Sequence, residues 1–156
     1  GLLDVEWSAP AIDYETLFAA IRRFTRNELD VLEMFRRMVF NVVARNRDDH
    51  AKQHALLMDS KGRWRLSPAY DLTLASGPGN EHYLAINGKG TDVTRRDLIA
   101  VGEGVSIAVH RANAIIDEVT TVVATVPSIA ADFGVTRLTR NEIALVTAQS
   151  LALVKT

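Results

Sequence analysis

The sequence predicts a mainly α domain carrying one small β-hairpin. Two observations lead there. Apolar residues recur at helical spacing in several stretches, most of them opened by a capping signature. One short stretch, residues 55–66, instead reads as two strands around the glycine-containing turn Asp59-Ser60-Lys61-Gly62.

In chain order, Asp13 can cap a first helix, with Ile12 stapled onto Leu17 and an apolar face of Tyr14, Leu17, Phe18, Ile21 and Phe24. Thr25-Arg26-Asn27-Glu28 reads as a capping box that restarts a second helix. Val31, Met34, Phe35, Met38, Val39, Val42 and Val43 give that helix a stripe wide enough to be buried against several neighbours. It is expected to end near Arg45-Asn46. After the hairpin, Pro68 forces an extended approach, because the residue before proline avoids the helical region. Gly77-Pro78-Gly79-Asn80 and Gly88-Lys89-Gly90 bracket a long irregular segment, of the kind that is usually functional or mobile. Thr94 with Asp97 caps a short helix, stapled by Val93 to Leu98. Val105, Val109, Ala112, Ile116, Val119 and Val123 line a longer one that ends at Pro127. Phe133-Gly134 reads as a helix stop. The box from Thr139 to Glu142 opens a last helix, with Leu138 stapled to Ile143.

Composition narrows the functional classes. The 156 residues suffice for one domain with a real core. A net charge of −1 gives no bulk electrostatic case for nucleic acid or an anionic membrane. The absence of cysteine excludes disulfides and thiolate sites and fits the reducing cytoplasm, which is the expected location. No uninterrupted apolar run approaches the ~20 residues that span a bilayer. Gly1-Leu2-Leu3-Asp4-Val5-Glu6 lacks the features of a signal peptide, and with no initiator Met the chain reads as a piece of a longer protein.

Ionisable chemistry concentrates in residues 46–71. Asn46-Arg47-Asp48-Asp49-His50-Ala51-Lys52-Gln53 precedes the hairpin, and Ser67-Pro68-Ala69-Tyr70-Asp71 follows it. Phosphoryl transfer needs a carboxylate near the attacking hydroxyl, and an amide and a carboxylate on magnesium. Protein kinases supply these as Asp-x-x-x-x-Asn, a hairpin, and a second Asp. Asp48, Gln53 and Asp71 occur in that order. Two blander readings compete. Asp48, Asp49 and His50 could form a solvated, idle helix end, or His50 and His54, four apart, could join carboxylates in a metal site unrelated to ATP. His82 and His110 read as structural or exposed, Trp7 and Trp64 as packing residues, and the glycine clusters as turns rather than phosphate loops.

Asn46-x-Asp48-x-His50-x-Lys52 followed by Leu66-Ser67-Pro68-Ala69-Tyr70-Asp71-Leu72 resembles the carboxy-terminal lobe of HipA-like serine/threonine kinases, the toxins of bacterial toxin–antitoxin pairs. The likeness extends to Asp13-Tyr14-Glu15-Thr16, to Met34-Phe35-Arg36-Arg37-Met38-Val39-Phe40-Asn41 and, more loosely, to Ile115-Ile116-Asp117-Glu118-Val119. The Asp-x-His-x-x-Asn spacing is also similar to that of phosphatidylinositol kinases, which share the distant fold. The resemblance implies a helical kinase-like C-lobe spanning residues 1–156. Asp48 would be the catalytic base or hydroxyl-orienting carboxylate, with His50 and Lys52 supporting its loop. Gln53, Tyr70 and Asp71 would face the nucleotide, with Asp71 and Gln53 on magnesium. Gln53 departs from the family's usual Asn by one methylene, and magnesium demands near-ideal octahedral geometry.

The implied cofactors are ATP and Mg2+, bound by the full-length protein. The implied partners are a DNA-binding antitoxin, a protein substrate, and the protein's own amino-terminal lobe. That lobe would carry the glycine-rich loop and nucleotide-binding lysine, for which residues 1–11 are too short. No membrane association and no direct nucleic-acid binding by this lobe are expected, and the isolated chain should be inactive. The rival expectation is a non-catalytic, pseudokinase-type domain that binds an antitoxin or another protein.

Overall fold

The computed structural model describes residues 13–155, a mainly helical domain with one small antiparallel sheet. The expected Ile12 staple lies outside the described residues. Helix α1 (Tyr14–Thr25) is capped by Asp13, whose Oδ1 accepts from the Thr16 N–H at 2.7 Å. Tyr14, Leu17, Phe18 and Ile21 are buried as the stripe predicts, but Phe24 stays 37% exposed at the helix end. Arg26 then turns the chain in a left-handed conformation (φ 50°).

Helix α2 (Glu28–Val43) is capped by Asn27, not by Thr25. Asn27 Oδ1 accepts from Leu29 N–H at 2.9 Å. Thr25 is instead the last residue of α1, and Glu28, which a box there would need, pairs with Arg22 at 2.9 Å. All seven apolar residues of the expected α2 stripe are buried. The helix packs on α1 and on α4 and forms the centre of the core.

Strands β1 (Leu56–Met58) and β2 (Trp64–Leu66) pair in register Leu56 to Leu66 and Met58 to Trp64. Asp59 organises the turn by accepting from the N–H groups of Lys61 and Arg63. The irregular segment that follows docks back onto the domain. Ala75 exchanges backbone hydrogen bonds with Arg45 and Arg47, and Leu84 and Ile86 enter the core. Gly77 (φ 67°) is required there, since a Cβ would collide with the carbonyl oxygens of Glu81 and Arg47.

Helix α3 (Arg95–Gly104) opens where Thr94 and Asp97 predict, with Asp97 Oδ2 accepting from the Thr94 N–H at 2.9 Å. Burial pushes the Asp97 carboxyl up, but hydrogen bonds from Lys89, Thr94 and Asn87 more than reverse this and hold it well below the usual carboxylate range. Helix α4 (Val109–Val123) differs from expectation at both ends. Val105 caps α3, Val109 is exposed, and Pro127 sits in the first turn of α5 (Val126–Asp132), where its missing N–H costs nothing. Gly134 (φ 73°) follows α5 as the predicted stop. Helix α6 (Arg137–Val154) starts at Thr136, three residues before the expected cap, with Thr136 Oγ1 accepting from Thr139 N–H. Leu138, the expected staple, is exposed.

The stretch Val109–Asp132 contains a segment long and apolar enough to cross a membrane by length and composition alone. Physically this stretch is the wall of the core. Ala112, Ile115, Ile116, Val119 and Val123 face inward, while Asp117 and Glu118 pair with Arg95 and Arg36.

Candidate active site

The loop after α2 is anchored from below by a chain of buried polar groups. Asn46 Nδ2 donates to Asn41 Oδ1 (3.0 Å), Asn41 Nδ2 donates to the Tyr14 hydroxyl (2.9 Å), and that hydroxyl donates to Asp49 Oδ2 (2.8 Å). His82 Nδ1 and the Tyr83 N–H reach the same carboxylate at 2.9 and 2.8 Å. Asp49 is completely buried. Burial, together with the facing Asp49 carboxylate, raises the Tyr14 hydroxyl well above its ordinary pKa, so it remains a donor.

With Asp49 turned inward, its neighbour Asp48 projects to the surface, its side chain 48% exposed and 3.8 Å from His50 Nε2. The His50 ring meets Tyr83 edge-on at 5.5 Å. A single 3-10 turn, Ala51–Gln53, then swings the chain toward the far side of the hairpin. There the Gln53 amide donates to Asp71 Oδ2 at 2.5 Å, and the Tyr70 hydroxyl donates to the Lys52 carbonyl at 2.6 Å. Asp71 is exposed and left-handed (φ 53°). Its approach is held from the core by buried Arg37, which donates to the Ser67 carbonyl at 2.5 Å. The two halves of the segment thus meet across the hairpin, Gln53 against Asp71 and Lys52 against Tyr70.

A family model described as the HipA-like C-terminal domain matches residues 2–126. The chain belongs to the HipA-like C-terminal domain family. A solved chain from the complex of the Shewanella oneidensis MR-1 toxin–antitoxin system HipA and HipB with operator DNA superposes with a TM-score of 0.69 at 18% identity. That match covers 90% of this chain and 34% of the solved one, so the chain spans about a third of its solved relative. No curated protein matches.

In this HipA-like domain the six sequence-selected residues fall into three contacts: Asp48 with His50, Gln53 with Asp71, and Tyr70 with Lys52. The reading of a solvated, idle acidic loop fails for Asp49, which is core. Among the described residues no three His, Asp or Glu side chains gather as metal ligands, so His50 and His54 build no protein cage. Magnesium sites completed by substrate phosphates need no such cage, and Asp71 and Gln53 bring one carboxylate and one amide together.

His54 is enclosed beside Tyr14, with ring centroids 6.3 Å apart. Burial pushes its imidazole down to about 4, with the Arg37 guanidinium adding to the shift and Asp49 opposing it. His54 therefore packs as a neutral ring. Tyr14, Asn41, Asn46, Asp49 and His82 were not singled out in the sequence as site residues. The available signal was a hydroxyl and an amide, Tyr14 and Asn41, on the buried faces of amphipathic helices.

Proposed function

We propose that this HipA-like domain is the carboxy-terminal lobe of a protein serine/threonine kinase, acting with a separate amino-terminal lobe to move the ATP γ-phosphate onto a protein hydroxyl. The observation that carries the reading is the Gln53–Asp71 contact, which unites an amide and a carboxylate 18 positions apart across the hairpin. In this reading Asp48 is accessible to orient or deprotonate the attacking hydroxyl. Asp71 is the magnesium carboxylate, and Gln53 supplies the amide ligand. Magnesium, held by Asp71 and Gln53, would supply positive charge to offset that developing on the transferred phosphoryl group. His50, beside Asp48, and Lys52, under Tyr70, are positioning residues for the two carboxylates. The protein chemistry is placement and charge, with no covalent intermediate.

A protein of this kind works where ATP is, in the cytoplasm. An antitoxin as partner is supported by the solved relative, whose HipA is assembled with HipB and operator DNA. One observation favours a second reading, a non-catalytic lobe that binds an antitoxin. The longer Gln53 side chain is spent on Asp71 itself, through its N–H.

The experiment is a magnesium titration of phosphorylation by the full-length protein and its Gln53→Asn variant. The kinase reading expects Asn to raise turnover with little change in nucleotide affinity, because the improved interaction forms in the transition state. No phosphorylation by either version, with antitoxin binding intact, would establish the second reading instead.

A further inference from the structure

Six of the chain's 18 lysines and arginines fall in two short stretches, residues 22–26 and 61–65. The fold brings these stretches together. The end of α1 and the turn end of the hairpin enclose an open groove of about 1170 Å³, lined by Arg22, Arg23, Arg26, Arg63 and Arg65. Three of these guanidiniums already have carboxylate partners: Arg22 with Glu28, Arg63 with Asp59, and Arg65 with Asp30. Arg23 and Arg26 are exposed, and no ion pair is formed by either among the described residues. The wall between the charges is aromatic. Phe24 and Trp64 meet edge-on at 6.5 Å, and Phe24 remains 37% exposed although it continues the α1 apolar stripe.

Charge selects the kind of occupant. Around the groove six cations face three carboxylates, a local net of +3 in a chain whose total is −1, so the remainder of the chain is net negative. A long polyanion would run off the groove onto that negative remainder. A short acidic segment would not. Its carboxylates can pair with the two unpartnered guanidiniums, and the exposed pairs at the rim hold their partners weakly enough to rearrange. An apolar side chain can at the same time cover the Phe24–Trp64 wall.

We propose that this groove binds a short acidic segment of a partner protein, its carboxylates on Arg23 and Arg26 and an apolar residue against Phe24 and Trp64. This binding does not depend on phosphoryl transfer. It occupies the turn end of the hairpin, while Gln53 and Asp71 lie at its base.

The test is selection of random dodecapeptides displayed on phage against the 156-residue chain, followed by anisotropy titrations of the synthetic winners. The winners should be rich in Asp and Glu around one aromatic or leucine side chain. Their affinity should fall about tenfold or more in the Arg23→Glu variant and further when Arg26→Asn is added, and should weaken with salt. Arg23 is an exposed helix position, so the single variant keeps the fold, as circular dichroism can verify. Trp64→Leu should weaken the same peptides without changing charge. The proposal is overturned by winners without acidic enrichment, or by winners that bind Arg23→Glu unchanged. It is also overturned if a single-stranded dodecanucleotide binds the groove more tightly than any selected peptide, which would assign the surface to nucleic acid.

Discussion

Asp49 and Asp71 stand at opposite ends of the same loop-and-hairpin segment and are held in opposite ways. Asp49 is fully buried and takes three hydrogen bonds, from a helix hydroxyl, a histidine and a backbone N–H. Asp71 is exposed in a left-handed conformation, and the Gln53 amide donates to its Oδ2. A carboxylate enclosed by the fold and engaged by three donors is out of a ligand's reach. An exposed carboxylate is open to one. The difference divides the segment into a carboxylate that builds the loop and a carboxylate available for chemistry, with Asp48 on the available side.

The sharpest way to break this division is Asp49→Ala. It strands the Tyr14 hydroxyl, His82 and the Tyr83 N–H in the interior, and should cost on the order of 3–5 kcal/mol in urea unfolding. That is a large part of the stability of an ordinary domain. A loss below about 1 kcal/mol would mean that water or another donor replaces the carboxylate, and the comparison would lose its structural half.

Next in size is a pH effect from His54. Its folded value of about 4 lies below the ordinary value of 6.5, so the native ring binds its proton less readily than the unfolded one. Stability from this group is full above pH 6.5, is lost as the pH falls toward about 4, and is flat below that. The total is on the order of 3 kcal/mol, read from denaturant midpoints across that window. His54→Gln should flatten the slope between those limits, and an unchanged slope would place its origin elsewhere. Tyr14→Phe comes third. It removes the middle member of the Asn41–Tyr14–Asp49 chain and should cost about 1–3 kcal/mol in the same assay.

How much of this was legible in the sequence follows from which forces are local. The stripes of α1 and α2, the hairpin turn and the Thr94–Asp97 pair were readable, because each rests on contacts within a few residues. Asn27 in place of Thr25, and Thr136 in place of Thr139, were not. Competing caps two or three residues apart are decided by how far the preceding helix runs, which packing sets. Val105 and Val109 fit the period of α4, yet Val105 closes α3 and Val109 is exposed. At the site, the order Asp48, Gln53, Asp71 pointed to residues that do meet in part. That Asp49 rather than Asp48 turns inward depends on Tyr14, 35 residues away, and His82, 33 away. Pairings at that distance leave no periodic trace.

In the proposed kinase, Asp71 is kept for chemistry and contributes little to the fold. Left-handed backbone costs a non-glycine residue about 1 kcal/mol, less for Asp than for most. Asp71→Gly removes that strain together with the carboxylate. The decisive measurement is therefore a paired one on the full-length protein: the urea midpoint and the Mg-ATP phosphorylation rate of Asp71→Gly against the unaltered chain. The account predicts a midpoint unchanged or slightly raised, with turnover reduced about a hundredfold or more. Turnover that survives the loss of Asp71 in a stably folded protein would contradict it.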